Sequence, residues 1–113
     1  MSTIQGIAQS GLEAASTRVN VSAHNVANAL TDGFVPSQVT AAEQAGGGVT
    51  TAVSRASDPL AEARADQALL APSRTDLVTE VVAQQAATRL YQANVASLKT
   101  ADELFEAALK LKP

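Results

Sequence analysis

The stretch TDLVTEVVAQQAATRLYQANVASLKTADELFEAALKL, residues 75–111, reads as one uninterrupted helix with an apolar seam. Leu77, Val81, Tyr91, Val95, Leu98, Phe105 and Leu109 recur at steps of three, four or sums of these, the spacing of a surface that lies against other helices. Ser73, Thr75 or Asp76 supplies the N-cap, Glu80 falls in an early turn, and Lys110 and Lys112 sit where a helix C-terminus favours positive charge.

The other end of the chain repeats the theme. From Thr3 to Ala29, the residues Leu12, Ala15, Val19, Ser22, Val26 and Ala29 alternate in steps of four and three, and Ala8 extends the stripe backward. Small residues in a heptad-like row permit close helix approach. Thr31-Asp32-Gly33 and then Pro36 stop this helix. Side-chain amides on or beside the seams (Asn25 and Asn28 in the first helix, Gln84, Gln85 and Asn94 in the second) are either ordinary helix surface or devices that fix register between packed helices.

The middle is different. Val35, Val39, Val49 and Val53 lie among Ser, Thr and Gly, with Gly46-Gly47-Gly48 as a flexible joint. The pattern predicts a short strand over Val49–Val53, paired with Val35–Val39. Asp58 and Pro59 then open an alanine-rich, locally helical stretch over residues 60–71, which Pro72 closes.

Composition fits a building block better than a catalyst. Hydrophobic residues make up 46% of 113, but 24 of them are alanine and only Phe34, Tyr91 and Phe105 are aromatic. Alanine contributes little on burial, whereas a large side chain contributes roughly 1.5–3 kcal/mol. The expectation is a marginal monomer whose apolar surface is reserved for neighbouring subunits.

The net charge of −3 and the absence of any Lys/Arg run give no electrostatic footprint for nucleic acid. The first charge is Glu13, so no cleavable signal peptide is expected, and the uncharged stretch from Val19 to Thr31 is too polar to insert in a membrane. The single histidine, His24, reads as solvated or packed. No set of His, Cys or carboxylate residues has metal-ligand spacing, and the triglycine lacks the Lys-Ser/Thr of a phosphate loop. No catalytic, metal or cofactor site is therefore expected.

Two motifs carry a family resemblance. Asn20-Val21-Ser22-Ala23-His24-Asn25-Val26-Ala27-Asn28-Ala29 followed by Thr31-Asp32-Gly33-Phe34 resembles the N-terminal signature of flagellar basal-body rod proteins, and Ser10-Gly11-Leu12-Glu13-Ala14 resembles the stretch upstream of it. Asp76–Val82, Tyr91-Gln92-Ala93-Asn94 and Lys99-Thr100-Ala101-Asp102-Glu103-Leu104 resemble the C-terminal signature that rod and hook proteins share. The short middle and the Val49–Pro59 stretch look most like the proximal rod type, FlgC, whereas Lys99–Glu103 is closer to the distal rod and hook type. Leu30, Asp32 and His24 depart from the commoner residues at their positions.

The resemblance implies a structural axial subunit that polymerises through its terminal helices. Its partners are itself and other rod and axial proteins. It implies export by the flagellar type III apparatus to the periplasmic rod, with no nucleic acid and no membrane insertion.

The expected architecture is mainly α: a single domain, residues 1–113, in which helices over 3–30 and 75–111 form an antiparallel hairpin or coiled coil around a short irregular or β-hairpin insert over 31–74. Leu12, Val19, Val26, Leu77, Val81, Tyr91, Val95, Leu98 and Phe105 are the expected helix- and subunit-packing residues, and Asn25, Asn28 and Asn94 the expected polar contacts. The competing reading is a soluble coiled-coil adaptor, a rod-protein paralogue outside the rod.

Overall fold

A computed structural model describes residues 3–55 and 71–111. In chain order these form helix α1 (Ile4–Ala27), strands β1 (Ser37–Glu43) and β2 (Val49–Arg55), and helix α2 (Leu77–Lys110). The fold is mainly helical, with a small antiparallel hairpin between the two helices, as the sequence predicts.

Each helix begins at a side-chain cap. The Thr3 hydroxyl accepts from the Gly6 N–H at 3.1 Å and starts α1. Asp76 starts α2, its carboxylate accepting from the N–H of Val78 at 3.1 Å and the hydroxyl of Thr79 at 2.9 Å. Those bonds, the one from the Thr79 side chain foremost, hold the Asp76 carboxyl below its ordinary value. A carboxylate whose acidity is raised by folding stabilises the fold above its unfolded pKa and loses that contribution as the pH falls through the folded value. The first turn of α2 is therefore expected to fray in acid, below about pH 4. Backbone amide shifts of Val78 and Thr79, followed by NMR from pH 6 to pH 2, should report it; Asp76→Asn should flatten that titration.

The first helix ends two residues before the expected Ala29. Asn28 donates from its side chain to the His24 carbonyl at 3.0 Å and accepts from the Thr31 hydroxyl at 3.1 Å, so its amide closes α1 and opens the following turn. Gly33, at φ 74°, takes the left-handed position that ends the turn. The His24 ring meets Phe34 edge-on, with centroids 5.7 Å apart, and folds the turn back onto the helix end.

The hairpin is longer and shifted from the expected one. Val49–Val53 is in a strand, but its partner is Ser37–Glu43 and not Val35–Val39, with Val39 opposite Val53 and Glu43 opposite Val49. Pro36 lacks an N–H and stands just before the ladder. The triglycine is the turn itself and not a joint: Gly46, Gly47 and Gly48 have φ of 95°, 101° and 94°, conformations closed to other residues. The local helix signal at residues 57–70 lies outside the described residues. Beyond it, Ala71 accepts from the Gly33 N–H and Arg74 donates its N–H to Phe34, which brings the chain back beside the end of α1.

The helices pack antiparallel. Gln5 bonds to Asp102 at 2.9 Å near one end, Gly11 faces Asn94 in the middle, and Ser22 donates to the Glu80 carbonyl at 3.0 Å near the other. The hairpin crosses α1 on the side of this pair. The radius of gyration is 19.3 Å, against about 13 Å for a compact chain of this length. The body measures 74 × 26 × 13 Å.

A polar junction and an exposed apolar helix face

The interior of the helix pair is made of small and polar groups. Ala8, Ala14, Ala15, Ser22 and Asn25 are the buried residues of α1, and Ala87 is the buried residue of α2. Around Ala87, the half-buried positions of α2 are Glu80, Gln84, Asn94, Leu98 and Ala101, a row of threes and fours when Tyr91 is included. Val81 and Val95 lie one residue off that row, while Leu77, three residues before Glu80, continues it toward the start of the helix. Small side chains let the two backbones approach, and Val81 and Val95 are left exposed.

Asn25 is the hub of the junction where α1, β1 and α2 meet. It is 1% exposed, and its side chain ties three elements together. Its Nδ2 donates to the Ser37 carbonyl at 2.8 Å and to Glu80 Oε1 at 2.9 Å, while its Oδ1 accepts from the Ser37 N–H at 2.9 Å. The amide thus completes the main-chain bonding of Ser37 as a neighbouring strand would, and locks α1 to β1 and α2 at once. Ser22, one turn earlier, adds the bond to the Glu80 main chain. Glu80, which the sequence offered only as a first-turn acid, is the α2 half of this junction.

The other two asparagines have different work. Asn28 caps α1, as described, and makes no bond to α2 among the described residues. Asn94 donates to Leu90 within its own helix at 2.9 Å and lies flat against Gly11. Gly11 is there because a Cβ would sit 2.6 Å from the Asn94 Cγ. A glycine inside an otherwise strong helix sequence was the available signal for this close approach.

The expected packing residues divide. Leu12, Val19, Val26 and Leu98 are half-buried along the helix pair. Leu77, Val81, Tyr91, Val95 and Phe105 are not closed in by the chain: their exposures run from 44% for Tyr91 and Val95 to 64% for Phe105. Within the single chain Glu80, Ala87 and Asn94 take the inner positions of α2, and these five of the expected helix- and subunit-packing residues stay exposed.

The overhang adds to the exposed set. Asp102 faces Gln5, next to the start of α1, so the last turns of α2 run past the end of its partner helix. They carry Leu104, Phe105 and Leu109, all more than half exposed.

An open cleft of about 370 Å³ between α1, β1 and α2 is lined by Val21, Val39, Ala83, Ala86 and Leu90, with Arg18 and Glu80 among its polar groups. Among the described residues no three His, Asp or Glu side chains gather as a metal-binding group. None of the described helices is long and apolar enough to cross a membrane.

Comparison with known families matches both ends of the chain. Residues 7–34 match the family described as flagella basal body rod protein, and residues 67–111 match the one described as flagellar basal body rod FlgEFG protein C-terminal. No curated protein matches the chain. The C-terminal match agrees with the reading of Lys99–Glu103 and adds nothing to the FlgC-type resemblance. The first span contains α1 from Ile7 with the Asn28–Gly33 turn, and the second contains the whole of α2. With the two matches in the order and at the ends where these helices pair, the chain belongs to the flagellar basal-body rod family.

Proposed function

We propose that this protein is a structural axial subunit of the flagellar rod that polymerises through its terminal helices. The observation that carries this reading is the set of large apolar residues that α2 leaves exposed. Leu77, Val81, Val95, Leu104, Phe105 and Leu109 are all about half exposed or more, whereas the buried side chains among the described residues are alanine, serine and asparagine. An apolar surface of this extent on a soluble chain marks an interaction site. A rod subunit covers it with the helices of its neighbours.

The proposed setting follows from family membership. The chain is exported by the flagellar type III apparatus, takes its place in the periplasmic part of the basal body, and contacts other copies and other axial proteins there. Assembly of the rod, and hence motility, depends on it.

Phe105→Ser tests the reading. Phe105 lies on the overhang, so the change should leave the melting temperature of the isolated chain unaltered within about 0.5 kcal/mol of stability. It should nevertheless remove the chain from purified hook–basal bodies, as read by quantitative mass spectrometry. Normal incorporation of this variant, or wild-type chain confined to the cytosol, would overturn the assignment.

A further inference from the structure

The hairpin has two outer edges, and the helices satisfy only half of each. The Gln44 N–H bonds to the Gly48 carbonyl at 3.0 Å, which puts the even-numbered residues of both strands in mutually bonded pairs. Odd-numbered residues therefore turn their main-chain groups outward. Two of them show it directly: Ser37 bonds outward to the Asn25 amide, and the Val49 N–H bonds outward to the Ser10 hydroxyl at 3.1 Å.

These anchors lie at opposite ends of the hairpin, Ser37 at the base of β1 and Val49 at the tip of β2. The tip of β1 (Ala41 and Glu43) and the base of β2 (Val53 and Arg55) are exposed. Among the described residues nothing bonds to their outward main-chain groups.

Neither strand carries a lysine, a proline or a bulge, three of the devices that keep sheet edges apart, and each is seven residues long. Each free half carries one charge, and the two are opposite: Glu43 on β1 and Arg55 on β2. Both are odd-numbered, so their side chains share one face of the sheet.

We propose that the free half of β1 in one copy adds, antiparallel, to the free half of β2 in a second copy, forming a sheet that runs between subunits. Glu43 then stands opposite Val53 and Ala41 opposite Arg55, and Glu43 lies diagonal to Arg55, close enough for the charges to attract. Because the two edges differ, the contact is head-to-tail and each added copy presents a fresh edge to the next. Within one chain Glu43 pairs with Val49, so the new register displaces each copy by four residues, about 13 Å along the strands. The inference rests on the reading that the chain polymerises, and it adds a second contact to the helix face.

The chain has no cysteine, so a cross-link can be placed without competition. In the doubly substituted chain, Glu43→Cys with Val53→Cys, the two positions lie about 13 Å apart along the strands of one hairpin, beyond disulfide reach. Oxidation of assembled full-length chain is expected to give a ladder of covalent multimers. In parallel, Glu43→Arg and Arg55→Glu should each raise the critical concentration for assembly roughly fivefold, and the two together should restore it.

Thermal melts of the unassembled variants separate loss of fold from loss of contact. If the wild-type chain assembles, Phe105→Ser blocks assembly, and the edge variants give neither ladder nor shift, strand addition is overturned and helix-driven assembly stands. If the wild-type chain fails to assemble even on rod seeds, both are overturned.

Discussion

Asn25→Leu is expected to lower the unfolding free energy of the isolated chain by about 3 kcal/mol, the largest effect of any single substitution considered. Leucine matches asparagine in size and supplies apolar surface, so packing alone argues for a mild change. The loss is polar. The Ser37 N–H, the Ser37 carbonyl and the Glu80 carboxylate each lose their bond to the amide, at 2.9, 2.8 and 2.9 Å respectively; Asn25 is 1% exposed and its partners Ser37 and Glu80 are half-buried. A buried polar group left without a partner costs about 1–3 kcal/mol, and more when it is charged.

An interior built on alanine has little stability to spare. A loss of that size should move the thermal midpoint, followed by circular dichroism, by about 10 °C or more. Because the amide joins three elements, the hairpin should detach along with the helix pair. Protection of the Ala42 and Thr50 amides from hydrogen exchange should fall with that of the helices. Unchanged hairpin protection would show that β1 and β2 do not depend on the junction.

Gly11→Val is expected to destabilise the helix pair by about 2 kcal/mol, with the loss recovered when Asn94→Ala is added. A Cβ at residue 11 sits 2.6 Å from Asn94 Cγ and 2.7 Å from its Nδ2. The amide is held in place by its bond to Leu90. It can yield only by breaking that bond or by pushing the helices apart, which opens the alanine contacts at Ala8, Ala15 and Ala87.

Helix propensity works against this in one variant. Replacing glycine by alanine in a helix gains about 1 kcal/mol, so Gly11→Ala should show a smaller net loss than Gly11→Val. Truncating Asn94 removes the obstruction, and the doubly substituted chain should be as stable as Asn94→Ala alone. Urea unfolding of the four chains gives the coupling. Strict additivity would mean that Gly11 and Asn94 do not set the distance between the helices.

Much of the fold was legible because it is written locally. The cap at Asp76 is a short-range bond between neighbours in sequence, and the stop after α1 at Thr31-Asp32-Gly33 is a turn that needs nothing distant; the Thr3 cap and the part Asn28 plays in the stop came only with the structure. Periodicity alone placed two helices at the ends of the chain. The hairpin was half legible: valine and threonine alternation marked β2, but its register was set by the length of the glycine turn and by Pro36. Family signatures at the two ends were read on residues that also turn out to be structural, Asn25 and Asn28 among them.

Which face of α2 turns inward was not legible. Val81, Val95 and Leu109 form as good a row as Glu80, Ala87 and Asn94, and hydrophobicity favours the former. Local periodicity cannot tell a seam for one's own partner helix from a seam for a neighbour. That choice depends on how closely two particular backbones approach, and here the approach is fixed by Gly11 against Asn94 and by the bonds from Ser22 and Asn25 to Glu80.

The sequence by itself determined that the chain is two amphipathic helices, the second with its cap, and a turn-rich strand segment between them, because caps, turn residues and apolar periodicity act over a few residues. Only the tertiary structure decided that small and polar residues take the most buried positions and that Val81, Val95 and Leu109 stay exposed. Burial is a property of contacts between positions as distant as Asn25 and Glu80, and no local pattern records which of two apolar rows those contacts will choose.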